Sequence, residues 1–434
     1  MIVVIGAGLS GLAAAFRLQQ AGHEMQVLEA AALPGGRCRT FRRDGFIVDT
    51  GPEISAINYA RFLALAHSVG LGAAIVPSST VVSVLRGGKM IDIDSASPAS
   101  MLVRPLLSWR AKGHFAYGVF KHRQLLRRAN AFRLTALVNE DDPTTNAEEL
   151  SVRAFGREAA DYLIDPMMRT LGGSHMSTVS AVVALGGIAS FSSPMVTLLG
   201  GLSRLPEAVT ARLKVTYNAR VSRVDASADG VNVQFIDAAG TSRRLRAEQC
   251  IVAAQFDDAE RIYPDLLAYS GEFGQQLKFV RLLDVKLAYN APTHSKAYVA
   301  QMPTIENPEV LMFTLSHNKA PDRAPPGHSL FTIYSEHTQW DRLSALSNDA
   351  IIEWGRRQME ILYPEVKGHF LFGHVEREPK TVCFADPGYY RRVVALQARI
   401  PRHSRVQLAG DVFGAGSMEA AVVWGEAAAD RLLG

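Results

Sequence analysis

The residues best equipped for chemistry stand at the very start of the chain: Gly6-Ala7-Gly8-Leu9-Ser10-Gly11, followed eighteen positions after Gly11 by Glu29 and Ala30. A G-x-G-x-x-G run that leaves a strand and opens a helix has a definite physical meaning. Gly6 permits the tight turn, Gly8 lets the backbone approach a pyrophosphate, and Gly11 lets helix and strand pack closely. Ser10 shares that turn, where the helix N-terminus attracts phosphate charge. Glu29 ends the second strand, where its carboxylate can accept both ribose hydroxyls of an adenosine and disfavours a 2′-phosphate. The chemistry is dinucleotide binding, and this motif alone does not separate NAD from FAD. The competing reading is a glycine-rich turn without nucleotide.

Elements must hold that motif in place. The first residues read as a strand over 2–5, a turn over 6–11, a helix over 12–21 and a strand over 25–28, half of a dinucleotide fold. A helix-rich middle spans 98–190, and Gly200-Gly201-Leu202-Ser203-Arg204-Leu205-Pro206 opens a short helix. Alternating strands over 220–225 and 231–235, with a turn at 237–240 and a charged strand over 243–246, read as a meander. Residues 250–254 form a small apolar run of the kind buried on both faces, which should rejoin the first sheet. Strands return over 279–289 and within 311–334, followed by a helix over 348–362, a strand over 405–409 and a helix over 417–433. The expected class is α/β (α+β). It comprises a discontinuous Rossmann-like FAD/NAD(P)-binding domain with a β-meander (1–78, 200–272 and 400–434) and a substrate domain of mixed sheet (79–199 and 273–399) with a helical cap around 98–190.

Two further blocks narrow the cofactor. Leu33-Pro34-Gly35-Gly36-Arg37-Cys38-Arg39-Thr40 precedes Phe46-Ile47-Val48-Asp49-Thr50-Gly51-Pro52-Glu53, and the chain closes on Leu408-Ala409-Gly410-Asp411 and Gly414-Ala415-Gly416-Ser417-Met418-Glu419-Ala420-Ala421-Val422. Together they resemble the flavoprotein group that contains monoamine oxidases, protoporphyrinogen oxidases and phytoene desaturases. The resemblance implies noncovalent FAD, with Gly36 and Arg37 at the diphosphate, Gly51 and Pro52 near the flavin ring, and backbone contacts from Val221 to the adenine. It also implies that Gly410, Asp411, Ser417, Met418 and Ala421 aim a helix N-terminus at the flavin, where it would stabilise the negative charge of reduction. The middle blocks, including Phe155-Gly156-Arg157-Glu158 and Asp386-Pro387-Gly388-Tyr389-Tyr390, look most like protoporphyrinogen oxidases. The implied activity takes two electrons, as hydride to flavin N5, from a small, largely apolar organic substrate at a C–C or C–N bond, with O2 or a quinone as acceptor. Alternatives are a flavin-dependent isomerase, a carotenoid-type desaturase using a quinone, and a noncatalytic FAD-binding partner protein.

The chain departs from those relatives where substrate is handled. The lysine that amine oxidases of the group carry falls, read without gaps, on Asp284, with Lys286 two residues on and on the same strand face. These two are candidates for catalysis or an exposed pair on a meander strand. An aromatic cage position falls on Ser417. Glu53 stands where protoporphyrinogen oxidases place a group that meets a substrate carboxylate; it would bind a polar or cationic substrate group, take a proton, or cap a helix, and it would repel an acidic tetrapyrrole. Cys383 is expected to be a buried small residue, and His175 a structural partner.

Composition bounds the rest. With 434 residues, a net charge of +4 and three scattered cysteines, the chain suits a large apolar core in a reducing compartment and no nucleic-acid partner. No metal-ligand spacing is present, so no metal is expected. The chain opens on its first strand without a leader, and a cytoplasmic protein is expected. One charge cluster stands out. Between Asp94 and Glu140 there is no acid, while Arg104, Arg110, Lys112, Lys121, Arg123, Arg127, Arg128 and Arg133 interleave with apolar residues. The segment 98–138 reads either as peripheral contact with an anionic membrane or as solvated cap helices.

Overall fold

Ile2–Ile5 offers no polar face, and it occupies the place such a run demands, the centre of a five-stranded parallel sheet. The computed structural model describes residues 1–190, 193–401, 403–414 and 416–434, so Ala415 of the closing motif lies outside the described residues. In the sheet, Val215–Thr216, Met25–Leu28, Ile2–Ile5, Gln249–Val252 and Val406–Leu408 lie side by side in that order. Each pair is parallel. The chain steps from Ile2–Ile5 to one side first and later to the other, so the strand order reverses beside Gly6, and a ligand crevice belongs at the carboxyl ends there.

The helix expected over 12–21 spans Leu9–Gln20, because Gly8 takes the extended N-cap conformation and the first turn begins directly after it. Arg220–Ser227, Gly230–Ile236 and Ser242–Ala247 form the antiparallel meander, with a bulge between Val221 and Arg223.

A seven-stranded mixed sheet stands apart from these. Its order is Phe370–Cys383, Phe279–Tyr289, Ser329–Ser335, Val310–Leu315, Val299–Gln301, Val81–Arg86 and Lys89–Asp94. Only Val299–Gln301 and Val81–Arg86 run parallel. Alternation divides the faces. Leu283, Val285, Leu287 and Tyr289 pack with Ile351, Trp354 and Met359 of the helix Asn348–Glu360. Leu282, Asp284, Lys286 and Ala288 occupy the other face, and that face matters for function.

Over this face lies a helical cap. Trp109–Lys121 crosses Ala147–Phe155 closely at Gly118, where a side chain would strike the Ala154 carbonyl and the Phe155 ring. Met195–Leu198, which falls in the 79–199 stretch, instead pairs with Ser55–Ala56 and Ile75–Pro77 of the first stretch. Among the described residues, no helix is long and apolar enough to cross a membrane.

Candidate active site

At the reversal point the three glycines form the tight turn that leads into the helix. Gly6 has φ +101°, and a Cβ there would stand 2.8 Å from the Ala253 carbonyl oxygen. A Cβ on Gly11 would strike the Gly6 carbonyl, while nothing lies within 4 Å of the corresponding point at Gly8, which leaves the helix N-terminus open. Glu29 accepts hydrogen bonds from the Ala7 N–H (2.6 Å) and the Ala31 N–H (2.8 Å), which fixes its carboxylate and the adjoining Ala30 beside the glycine turn. The Ala219 N–H donates to the Glu29 carbonyl at 2.8 Å, which brings the start of the meander strand and its buried Val221 to the same corner.

The second block joins the first directly. The Gly35 N–H donates to the Ala7 carbonyl at 2.8 Å, and Gly36 lies against Gly8. Arg37 holds Asp411 at 3.0 Å and also donates to the Thr381 carbonyl, so the two ends of the chain meet through one guanidinium. Gly51 packs against the Arg37 backbone so closely that no side chain fits. Ser417 caps the final helix Met418–Leu433, accepting from the Ala420 N–H at 3.1 Å, and Met418 is buried in the core below, with Ala421 packed against it.

Beyond Gly51 and Pro52, Glu53 enters a buried polar cluster. Lys319 Nζ lies 2.6 Å from Glu53 Oε2 and 2.8 Å from Asp49 Oδ2, and Thr332 Oγ1 donates to Glu53 Oε1 at 3.2 Å. Arg323 adds a second cation, 3.4 Å from Asp49. Burial pushes the Asp49 carboxyl up, but Lys319 and Arg323 outweigh it and hold the group at about 2. Next door on the sheet, Lys286 pairs with Asp284, and both are buried. Burial raises the Asp284 carboxyl to about 6 against the pull of Lys286. Register places Lys286 opposite Thr332 and Asp284 opposite Tyr334, so the two clusters form one polar patch.

A cavity of about 120 Å³ opens at the other end of the same face. Its walls include Tyr59, Phe132, Met167, Leu171, Val299 and Gln301, and among the described residues that line it none is Asp, Glu, Lys, Arg or His. Asn58 Oδ1 is buried in this wall without a hydrogen-bond partner. Asp284 and Gln301 are linked across Tyr334 and Met312, three strand spacings or about 14 Å.

A sequence model described as flavin containing amine oxidoreductase matches residues 9–433, nearly the whole chain. The chain belongs to this family. Among its relatives is an L-amino-acid oxidase of Echis ocellatus, 27% identical over 273 residues, covering 60% of this chain and 53% of that one. A coproporphyrinogen III oxidase of Staphylococcus aureus is 21% identical over 479 residues, covering 100% and 98% of the two chains. The chain thus spans about half the length of the L-amino-acid oxidases it matches. The fold matches the cyclohexylamine oxidase of Brevibacterium oxydans IH-35A with a TM-score of 0.77, 18% identity, and coverage of 99% and 98%.

Membership of this family implies FAD as the cofactor, and the residues present fit it. Gly8 leaves open the space a diphosphate would fill, Ser10 Oγ is buried beside it without a partner, and Glu29 stands at the ribose position. Arg37 has donors beyond the two it commits to Asp411 and Thr381.

The catalytic candidates need correction. Asp284 and Lys286 are not an exposed pair on a meander strand; they are buried at the second position of the seven-stranded sheet. Glu53 caps no helix. Lys319, shared with Asp49, and Arg323 together balance the two carboxylates, which weakens the ground for Glu53 repelling an acidic substrate. Cys383 is half-buried, beside Arg37 and Asp411 in a small recess, with its thiol pushed up to about 12 by burial. His175 bonds Ser177 at 2.5 Å and faces Asp165 at 3.6 Å, a structural role. Lys319, Arg323, Thr332 and Asn58 escaped the sequence reading. Lys319 meets Asp49 across 270 positions, and no local pattern announces such a pair.

Proposed function

We propose that this enzyme removes two electrons from a small, uncharged and largely apolar organic molecule at a C–C or C–N bond, with noncovalently bound FAD and oxygen as the acceptor. The observation that carries the reading is the cavity without an ionisable side chain. A free amino acid would bury a carboxylate and an ammonium there with no counter-charge, at a cost of several kcal/mol (roughly) for each ion. FAD, when bound, supplies the two-electron acceptor.

The protein's own residues then have separable tasks. Tyr59, Phe132 and Met167 exclude water from the cavity. Asn58 Oδ1 is free to accept a hydrogen bond from an N–H or O–H of the substrate. Asp284, raised to about 6 by burial and paired with Lys286, lies outside the cavity lining and helps to set the charge of the polar end of the face. Glu53 and Lys319 keep that end of the face electrically balanced. We read the chain as a cofactor part built from 1–78, 200–272 and 400–434 and a substrate part built from 79–199 and 273–399, the cavity drawing on both. Its lining by Ile54 and Tyr59 as well as Val82 and Val299 supports this division.

Asn58→Ala tests the assignment. Loss of one substrate hydrogen bond should lower kcat/KM about ten-fold while FAD content stays unchanged. Unchanged kinetics would remove the substrate from this cavity.

A further inference from the structure

Trp109–Lys121 is apolar on two opposite faces. One, with Ala111, Phe115 and Gly118, packs into the cap. The other follows the i, i+4, i+8, i+11 spacing and carries Trp109, Tyr117 and Phe120, which are 74%, 61% and 63% exposed. Leu102 and Val103 at the end of the preceding helix extend this surface, at 54% and 73% exposure. Isolated exposed apolar residues are ordinary in a soluble protein; five on adjoining helices are a patch that calls for a partner.

Charge selects the partner. Arg104, Arg110, Lys121, Arg123, Arg127 and Arg128 are all exposed around the rings. Lys112 Nζ stands 4.4 Å from the centre of the Trp109 ring, and the Arg123 guanidinium 4.5 Å from that of Phe120. Acids beside this surface are engaged already: Glu158 with Arg86 and Ser108, Glu140 with Arg128 at 3.7 Å, and Asp94 with the Ala96 N–H. Amphipathic rings ringed by cations match the interface of an anionic bilayer, where aromatic side chains sit at headgroup level and each cation meets lipid phosphate.

We infer that helices Pro98–Val103, Trp109–Lys121 and Arg123–Arg128 form a docking surface for an anionic lipid bilayer. The chain leaving Arg128 runs directly into Ala131 and Phe132 of the cavity wall, so the docked face adjoins the substrate cavity. The docking stands whether or not the substrate assignment does, since it draws on none of the cavity's residues.

The test is co-sedimentation of the FAD-loaded protein with vesicles of phosphatidylcholine alone and of phosphatidylcholine mixed with phosphatidylglycerol. The protein should sediment with the mixed vesicles only and be released at high salt, where charge is screened within about 3 Å at 1 M. Emission from Trp109, the exposed tryptophan among four, should shift to the blue on binding. Trp109→Ser with Phe120→Ser, and separately Lys121→Glu with Arg123→Glu, should each reduce partitioning at least about ten-fold with FAD content unchanged. Equal binding to both vesicle types, binding to neither, variants that bind like the parent, or retention of a single-stranded oligonucleotide in place of vesicles would overturn the inference.

Discussion

Lys319 is fully buried and divides its ammonium between Asp49 and Glu53, so its removal would strand two carboxylates in a region that water does not reach. Breaking a buried pair from one side costs about 3–5 kcal/mol. Lys319→Met should therefore destabilise the protein by about that amount in denaturant unfolding, and adding Glu53→Gln should restore part of the loss. Asp284 makes a prediction of the opposite kind. Its folded-state carboxyl is raised to about 6 from the ordinary 3.8, so the folded protein binds this proton more tightly than the unfolded chain does. The group's contribution is most favourable below the ordinary value and is lost as pH rises through about 6. In unfolding measured across that window, Asp284→Asn should flatten the fall in stability. Lys286→Met, which removes the cation that lowers Asp284, should move the fall to higher pH.

At the scale of elements, the glycine turn was legible because its chemistry is local. Gly11 packs on the Gly6 carbonyl within six residues, and Glu29 closes the unit one strand later by accepting from the Ala7 N–H. Gly11→Val should drive a side chain into the Gly6 carbonyl and open this turn. Loss of FAD absorbance in the purified variant would check that, and full FAD content would contradict it. The edge strand Phe370–Cys383 was not legible, because His374, Glu376, Glu378 and Lys380 interrupt any apolar alternation. Those residues are accommodated because one edge of the strand faces solvent and one face meets the polar patch. The hairpin joining Val81–Arg86 to Lys89–Asp94 did leave a signal in Gly87-Gly88, whose φ values of +59° and +73° suit a two-residue turn. Asp284 and Lys286 were found by type and position, but their burial was not, since only the neighbouring strands, distant in sequence, exclude water from them.

On the scale of the whole molecule, one sheet offers a crevice suited to a dinucleotide at its reversal point and another offers a face that is polar at one end and apolar at the other. The family assignment covers both, because the matched residues run from the first helix to the last. Substrate choice should show in the uncharged cavity. The most direct measurement is anaerobic mixing of the purified protein with a panel of uncharged cyclic ketones and weakly basic N-alkylanilines, set against free amino acids and polyamines, followed by flavin absorbance. Yellow protein should be bleached by a member of the uncharged, apolar classes and left unchanged by amino acids. Bleaching by amino acids alone, or a colourless protein that takes up no FAD, would contradict the proposed function.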